Sequence, residues 1–202
     1  MNRPDFSNYL AHFTKDDRQD EGVVVMSAKD RLIKILREKK IIASTMPWTN
    51  KKAVCFTECP WSSLLVHAQS YSPFGLGFRK EYVYSMHGGP VYYIRPDHYK
   101  RQLEKGGFDE QVWPFITPFS PPYRPKYLKD EWGRDVDYTH EREWRVPHEF
   151  PFEYNNVQFV ILPDYKVMAE FPPEFKDAIG RENFILLDNY KRIEEFWPVH
   201  IK

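Results

Sequence analysis

The stretch Tyr138-Thr139-His140-Glu141-Arg142-Glu143-Trp144-Arg145-Val146 gathers two carboxylates, two guanidiniums and an indole. Side chains alternate along an extended segment, so Glu141 and Glu143 are expected on one face and Arg142 on the other. Like charges side by side repel. Stabilising a developing positive charge is one reason to hold them together. A solvated strand face with Lys or Arg partners across the ladder is the structural alternative, and this segment alone favours it.

Three further clusters carry chemistry-bearing side chains: His12-Phe13-Thr14, Cys55-Phe56-Thr57-Glu58 and Tyr71-Ser72-Pro73-Phe74-Gly75. Each falls at the edge of an expected strand, where a scaffold can fix a side chain. Taken singly, His12 on a short apolar strand reads as a satisfied core histidine. Tyr71 and Phe74 read as core. Cys55 sits among apolar neighbours, as a buried thiol does, and is a poor nucleophile for His12 to activate. His12, His67, Cys55 and Cys59 lack metal-ligand spacing, so no metal is expected. Tyr123, Tyr127 and Trp132 beside Arg124, Lys126 and Lys129 have the composition of a single-stranded nucleic-acid surface. The nearby Asp130, Glu131 and Asp135 count against it.

The elements that must position these groups follow from pattern. A first strand is expected over 9–14, then a polar loop from Lys15 to Glu21. Ser27 begins a capping-box-like start to a helix that runs to about Lys40. Leu32, Ile33, Ile35 and Leu36 make its apolar face; Lys29, Lys34, Arg37 and Lys40 make its wet one. An extended piece over 41–44, a strand over 53–58 and a Pro-initiated helix over 61–68 come next. A glycine-bearing strand over 74–78 implies close backbone approach. Residues 82–86 and 90–94 flank His87-Gly88-Gly89 as a hairpin. A helix over 97–105 ends at Gly106-Gly107. The proline-dense 114–126 reads as a rigid loop. Strands over 142–146, 157–162 and 184–187 complete the sheet, with modest helical potential over 173–179. Mixed short strands and few helices predict an α+β fold, as one domain over 1–202.

Composition narrows the class. With 15 Phe, 13 Tyr, 6 Trp and 17 Pro, the chain builds a large aromatic core with ordered, irregular connections. Net charge is zero, but residues 1–101 carry +6 and the remainder −6. That polarity steers ligands without marking a nucleic-acid binder. No apolar run approaches the ~20 residues of a membrane span. The start of the chain lacks a signal-peptide pattern. With two cysteines, this points to a cytoplasmic protein with free thiols.

Five motifs in order resemble the AbiGi-type abortive-phage-resistance proteins and related bacterial proteins. These are the His12-Phe13 strand, the helix leading into Leu32-Ile33-Lys34-Ile35-Leu36, Cys55-Phe56-Thr57-Glu58, Phe74-Gly75-Leu76-Gly77-Phe78, and Glu141-Arg142-Glu143-Trp144-Arg145. The resemblance covers about residues 9 to 147. The motif order is in turn similar to the ADP-ribosyltransferase layout. That resemblance implies a compact domain of short mixed and antiparallel strands in two small sheets, with NAD as substrate in a cleft between them. It implies that His12 meets the adenosine ribose, that Thr14 is among the cofactor-binding residues, that Thr57 takes the middle-strand role and that Tyr71 and Phe74 stack on nicotinamide. It makes Glu143 the catalytic carboxylate and Glu141 the group that activates an acceptor, protein or nucleic acid. Arg142 or Arg145 is expected on a phosphate, with Arg145 neutralising the two carboxylates as the alternative. Glu58 stands apart from the family pattern: it either adds negative charge to the cleft or pairs with a basic neighbour. The implied function is ADP-ribosyl transfer or NAD cleavage in phage defence or a toxin–antitoxin system, possible partner protein included. The alternative is an inactive binding module of the same fold.

Overall fold

Ser27 sets the start of the first helix, α1 (Ala28–Glu38): its hydroxyl accepts from the Asp30 amide at 3.1 Å. Lys39 ends it in the left-handed conformation at φ 49°. The buried face of α1, Leu32, Ile35 and Leu36, packs on one side of the main sheet. The computed structural model describes residues 7–19, 22–58, 68, 71–127, 133 and 135–196. The helix expected over 61–68 lies outside the described residues except for Ala68, which is helical.

Along the chain, β1 (Tyr9–Phe13), β2 (Asp17–Arg18) and β3 (Val24–Met26) precede α1. After it come β4 (Lys40–Ile41), β5 (Ser44–Thr45), β6 (Lys52–Thr57), β7 (Gly75–Arg79) and α2 (Lys80–Ser85). Next are β8 (Gly89–Pro90), β9 (Tyr92–Ile94), α3 (Pro96–Glu104) and β10 (Ile116–Pro118). The chain continues through β11 (Glu143–Val146), β12 (Phe150–Pro151) and β13 (Val157–Leu162). It ends in α4 (Tyr165–Glu170), α5 (Pro173–Ile179), β14 (Phe184–Leu186) and α6 (Leu187–Phe196). The architecture is α+β.

Eight strands form one sheet in the order β14-β13-β7-β1-β6-β11-β8, with β5 added to β6. The two small sheets expected from the resemblance are instead one continuous sheet, in which β1 and β6 share a single residue pair, Ala11 with Thr57. Beyond that pair the ladder between these two strands is open. Among the described residues, three two-stranded pairs lie outside this sheet.

Side-chain alternation gives the sheet two different faces. Leu10, Phe56, Phe78 and Val160 pack with α1, α5 and Phe150 in the larger core, where Phe150 meets Phe56 and Phe78 edge-on at 5.0 Å each. Ala11, Phe13, Phe159 and Ile161 form a smaller apolar cluster on the other face. Gly77 is required there, because a Cβ would overlap the Phe159 ring.

Two further expectations are corrected. Residues 82–86 alternate like a strand, yet 80–85 is helix, buries Val83 and stops at His87, whose φ is 59°. Tertiary burial of one side chain outweighs the local pattern. The proline-dense segment holds a strand: β10 runs parallel to β9, pairing Ile116 with Tyr92 and Pro118 with Ile94. Proline ends that short strand, as edge positions allow.

Candidate active site at the split in the sheet

The motif strands β1, β6 and β11 are neighbours. Thr57 pairs with Glu143, and Cys55 with Arg145. Thr57, Cys55, Glu143 and Arg145 therefore project from one face, and His12 leaves β1 on the other. They still line one cleft of about 740 Å³, because the sheet is open between β1 and β6.

His12 occupies that opening. Its Nδ1 stands 2.9 Å from the Cys55 carbonyl. A carbonyl only accepts, so Nδ1 carries the proton and the neutral ring keeps Nε2 as an acceptor. Burial lowers the His12 pKa, and Arg31 lowers it further, against the raising effect of the Cys55 contact. The Lys51 carbonyl accepts from Met46 on the β5 side, at 2.8 Å. Alternate carbonyls along a strand face the same edge, so His12 fills the stretch of the β6 edge between its partners β5 and β1.

Seven of the eight expected site residues line this cleft: His12, Thr14, Thr57, Tyr71, Glu141, Glu143 and Arg145. Phe74 does not. It lines an adjoining cleft of about 490 Å³, which Tyr71 also borders. The hydroxyls of Thr14 and Thr57 are spent on backbone, on Ala28 O at 2.9 Å and Glu141 O at 2.6 Å. These two threonines tie the strands to their neighbours.

The Glu141 to Arg145 segment is not extended throughout. Thr139–Glu141 is a 3-10 turn, Arg142 is left-handed at φ 44°, and the strand begins at Glu143. Both carboxylates are nonetheless buried and both face the cleft. Glu143 is gripped by Arg145, with Nε to Oε1 at 2.8 Å and Nη2 to Oε2 at 2.9 Å. Arg145 also donates to Pro114 O, Ile116 O and Thr117 Oγ1. All five of its N–H donors are engaged, which leaves none for a phosphate. Its role is to neutralise and fix Glu143.

Among the described residues, no arginine fork of this kind grips Glu141. The Tyr71 hydroxyl donates to it, at 2.9 Å from Oε1 and 3.1 Å from Oε2. Burial pushes its pKa up; Glu143 adds to the rise, while Tyr71, His140 and Lys15 oppose it. Burial likewise raises Tyr93, to about 12. Burial and Glu143 push the Cys55 thiol well up, against Arg145, so no thiolate nucleophile arises here.

Glu58 turns to the opposite face. It forms an ion pair with Lys80 Nζ at 2.6 Å and accepts from Trp144 Nε1 at 3.2 Å, which anchors β11 to the core. Its charge stays out of the cleft. Among the described residues, no group of three or more His, Cys, Asp or Glu is placed to hold a metal ion. No described helix is long and apolar enough to cross a membrane.

Sequence reasoning missed the cations of the cleft. Lys15, Arg31, Lys34 and Lys40 line it, together with Asp17 and Glu38. Arg31 Nη2 meets Asp17 at 3.0 Å, and Arg31 Nε is buried with no hydrogen-bond partner among the described residues. Lys34 looked like ordinary wet helix face, and periodicity cannot tell such a residue from a ligand contact. Thr117, which steadies Arg145, was hidden in a segment read as loop. Of the candidate nucleic-acid surface, Tyr123 and Tyr127 are exposed, but Arg124 is buried and paired with Asp135. Lys129 and Trp132 lie outside the described residues. No family model, curated protein or solved structure matches the chain.

Proposed function

We propose that the cleft binds NAD and that the protein transfers or hydrolyses its ADP-ribosyl group, in an ADP-ribosyltransferase-like fold. The observation that carries this is the convergence of His12, Thr57, Glu141 and Glu143, from the three adjacent strands and the turn leading into β11, on one cleft where the sheet splits.

The lining suits the ligand. The cleft has the size of an ordinary small-molecule site. The turn before β11 and β11 itself supply Glu141 and Glu143, which favour the cationic nicotinamide ribose; α1 supplies Arg31 and Lys34, which favour phosphates. The unpartnered Arg31 Nε is a donor awaiting an oxygen. Arg31 thus takes the phosphate role once expected of Arg145.

In the reaction, the bond between ribose C1′ and the nicotinamide nitrogen breaks, and its electron pair leaves with neutral nicotinamide. The ribose acquires oxocarbenium character, as a glycoside does on hydrolysis. Glu143, oriented by Arg145, retains acceptor lone pairs for the ribose 2′-hydroxyl and steadies that charge. His12 Nε2 accepts from the adenosine ribose. The acceptor forms the new bond to C1′, and Glu141 takes its proton, a task suited by the raised pKa. A setting in phage defence or a toxin–antitoxin pair rests on the motif resemblance alone.

The test is incubation of the purified protein with NAD labelled in its adenine portion, alone and with cell extract. Free nicotinamide together with labelled ADP-ribose or a labelled macromolecule supports the proposal. Unchanged NAD in both, with no binding by calorimetry, sinks it.

A further inference from the structure

Tyr71 was expected to stack on nicotinamide. Its surroundings assign it other work. One face of the ring carries the Lys15 ammonium, 3.8 Å from the centroid. The ring also packs against the cluster of Ala11, Phe13, Ile161 and Leu187. The single phenol proton lies between both oxygens of Glu141, at 2.9 and 3.1 Å. Ring and hydroxyl are both committed.

We propose that Tyr71 is a positioning residue that centres the Glu141 carboxyl in the cleft and governs how readily it takes a proton from the acceptor. This deepens, and rests on, the NAD reading of the same site. The geometry follows from the fold: Lys15 comes from the loop after β1, Tyr71 precedes β7, and Glu141 ends the turn before β11. Three separate segments thus converge in one stack of cation, phenol and carboxylate. Glu141 is further tied through its backbone, since its carbonyl accepts from Thr57 Oγ1 and from the Glu58 amide at 3.3 Å. Only its side chain is left to orient, and the phenol does that.

The charged and titratable groups facing the Glu141 carboxyl are Tyr71, Lys15, His140, Glu143 and Tyr93. Burial and Glu143 favour its protonated form; the Tyr71 donor, His140 and the Lys15 charge favour the ionised one. Burial holds the phenol itself well above its ordinary range, so it stays a donor. Deleting the hydroxyl removes one of the groups that keep Glu141 able to accept a proton. Phenylalanine preserves the ring.

The experiment pairs two readouts on wild type, Tyr71→Phe and Tyr71→Ala. The first follows side-chain carboxyls by NMR on 13C-glutamate protein, the Glu141 signal being the one missing in Glu141→Gln. Its midpoint is expected to rise by about one pH unit in Tyr71→Phe. The second is the pH profile of NAD turnover, whose acid limb should rise equally while KM for NAD changes less than kcat. An unmoved Glu141 midpoint in Tyr71→Phe overturns the proposal, whether or not NAD binds. So does an unmoved acid limb accompanied by loss of NAD affinity in Tyr71→Ala alone, the signature of a stacking platform. Absence of NAD binding in the wild type sinks the functional reading instead, and the NMR midpoint still decides the role of Tyr71.

Discussion

Arg145 and Glu143 stand two residues apart on β11, and their side chains close on each other in two parallel hydrogen bonds, Nε to Oε1 and Nη2 to Oε2. Both side chains are buried, and Arg145 is only 3 % exposed. Such a fork is rigid as well as strong. It turns a residue singled out for charge stabilisation into part of the framework as well.

Arg145→Met should therefore cost about 3–5 kcal/mol in urea unfolding, because it strands a buried carboxylate. Adding Glu143→Gln should restore part of the loss. Glu143→Gln alone should abolish turnover and also lower stability by about 1–3 kcal/mol, since the amide cannot match the charge-assisted pair. A double variant whose loss equals the sum of the two single losses would mean that the pair is not coupled.

Glu141→Gln should behave oppositely. The folded carboxyl titrates above its ordinary 4.5, so folding favours the protonated form. Stability then falls as pH rises from 4.5 through the folded value and stays lower above it. Removing the charge should raise the melting temperature at neutral pH while abolishing transfer to an acceptor. A melting temperature lowered at pH 7 would contradict this.

The contrast between these two glutamates explains what the sequence could and could not reveal. Their shared face followed from alternation, and both do face the cleft, but the turn through Arg142 was not legible. Left-handed backbone at an arginine carries no residue-type signal. The strands at 157–162 and 184–186, and α5 over 173–179, announced themselves through apolar patterning and proline. Helix α2 did not, because Tyr82, Val83 and Tyr84 have strand composition. The cleft cations escaped for a different reason. Arg31 becomes a site residue only when α1 is laid across the opening beside His12, and that is a tertiary fact.

His12 gives a separate pH signature. Its folded pKa lies below 6.5, so the unfolded chain binds the proton more readily. Stability should decline as pH falls from about 6.5 toward the folded value, and be unaffected by this group above that range. His12→Gln should flatten this part of the stability profile in chemical denaturation between pH 5 and 7. A decline of the same size in His12→Gln would assign it to other groups.

Lys80 supplies the control on the opposite face. It is 12 % exposed and meets Glu58, which is 9 % exposed. Lys80→Met should cost about 3–5 kcal/mol by leaving that carboxylate unpaired. It should leave NAD affinity within about twofold, because neither residue borders the cleft. A large loss of affinity in a folded Lys80→Met would show that the two faces are coupled.

The most direct measurement is calorimetric titration of NAD into wild type, His12→Gln and Arg31→Met at pH 7. Wild type should bind with one site per chain, and each variant should bind at least about tenfold more weakly, one having lost a ribose acceptor and the other a phosphate donor. Absence of heat from folded wild type at millimolar NAD, or equal affinity in all three, would contradict an NAD site at the split between β1 and β6.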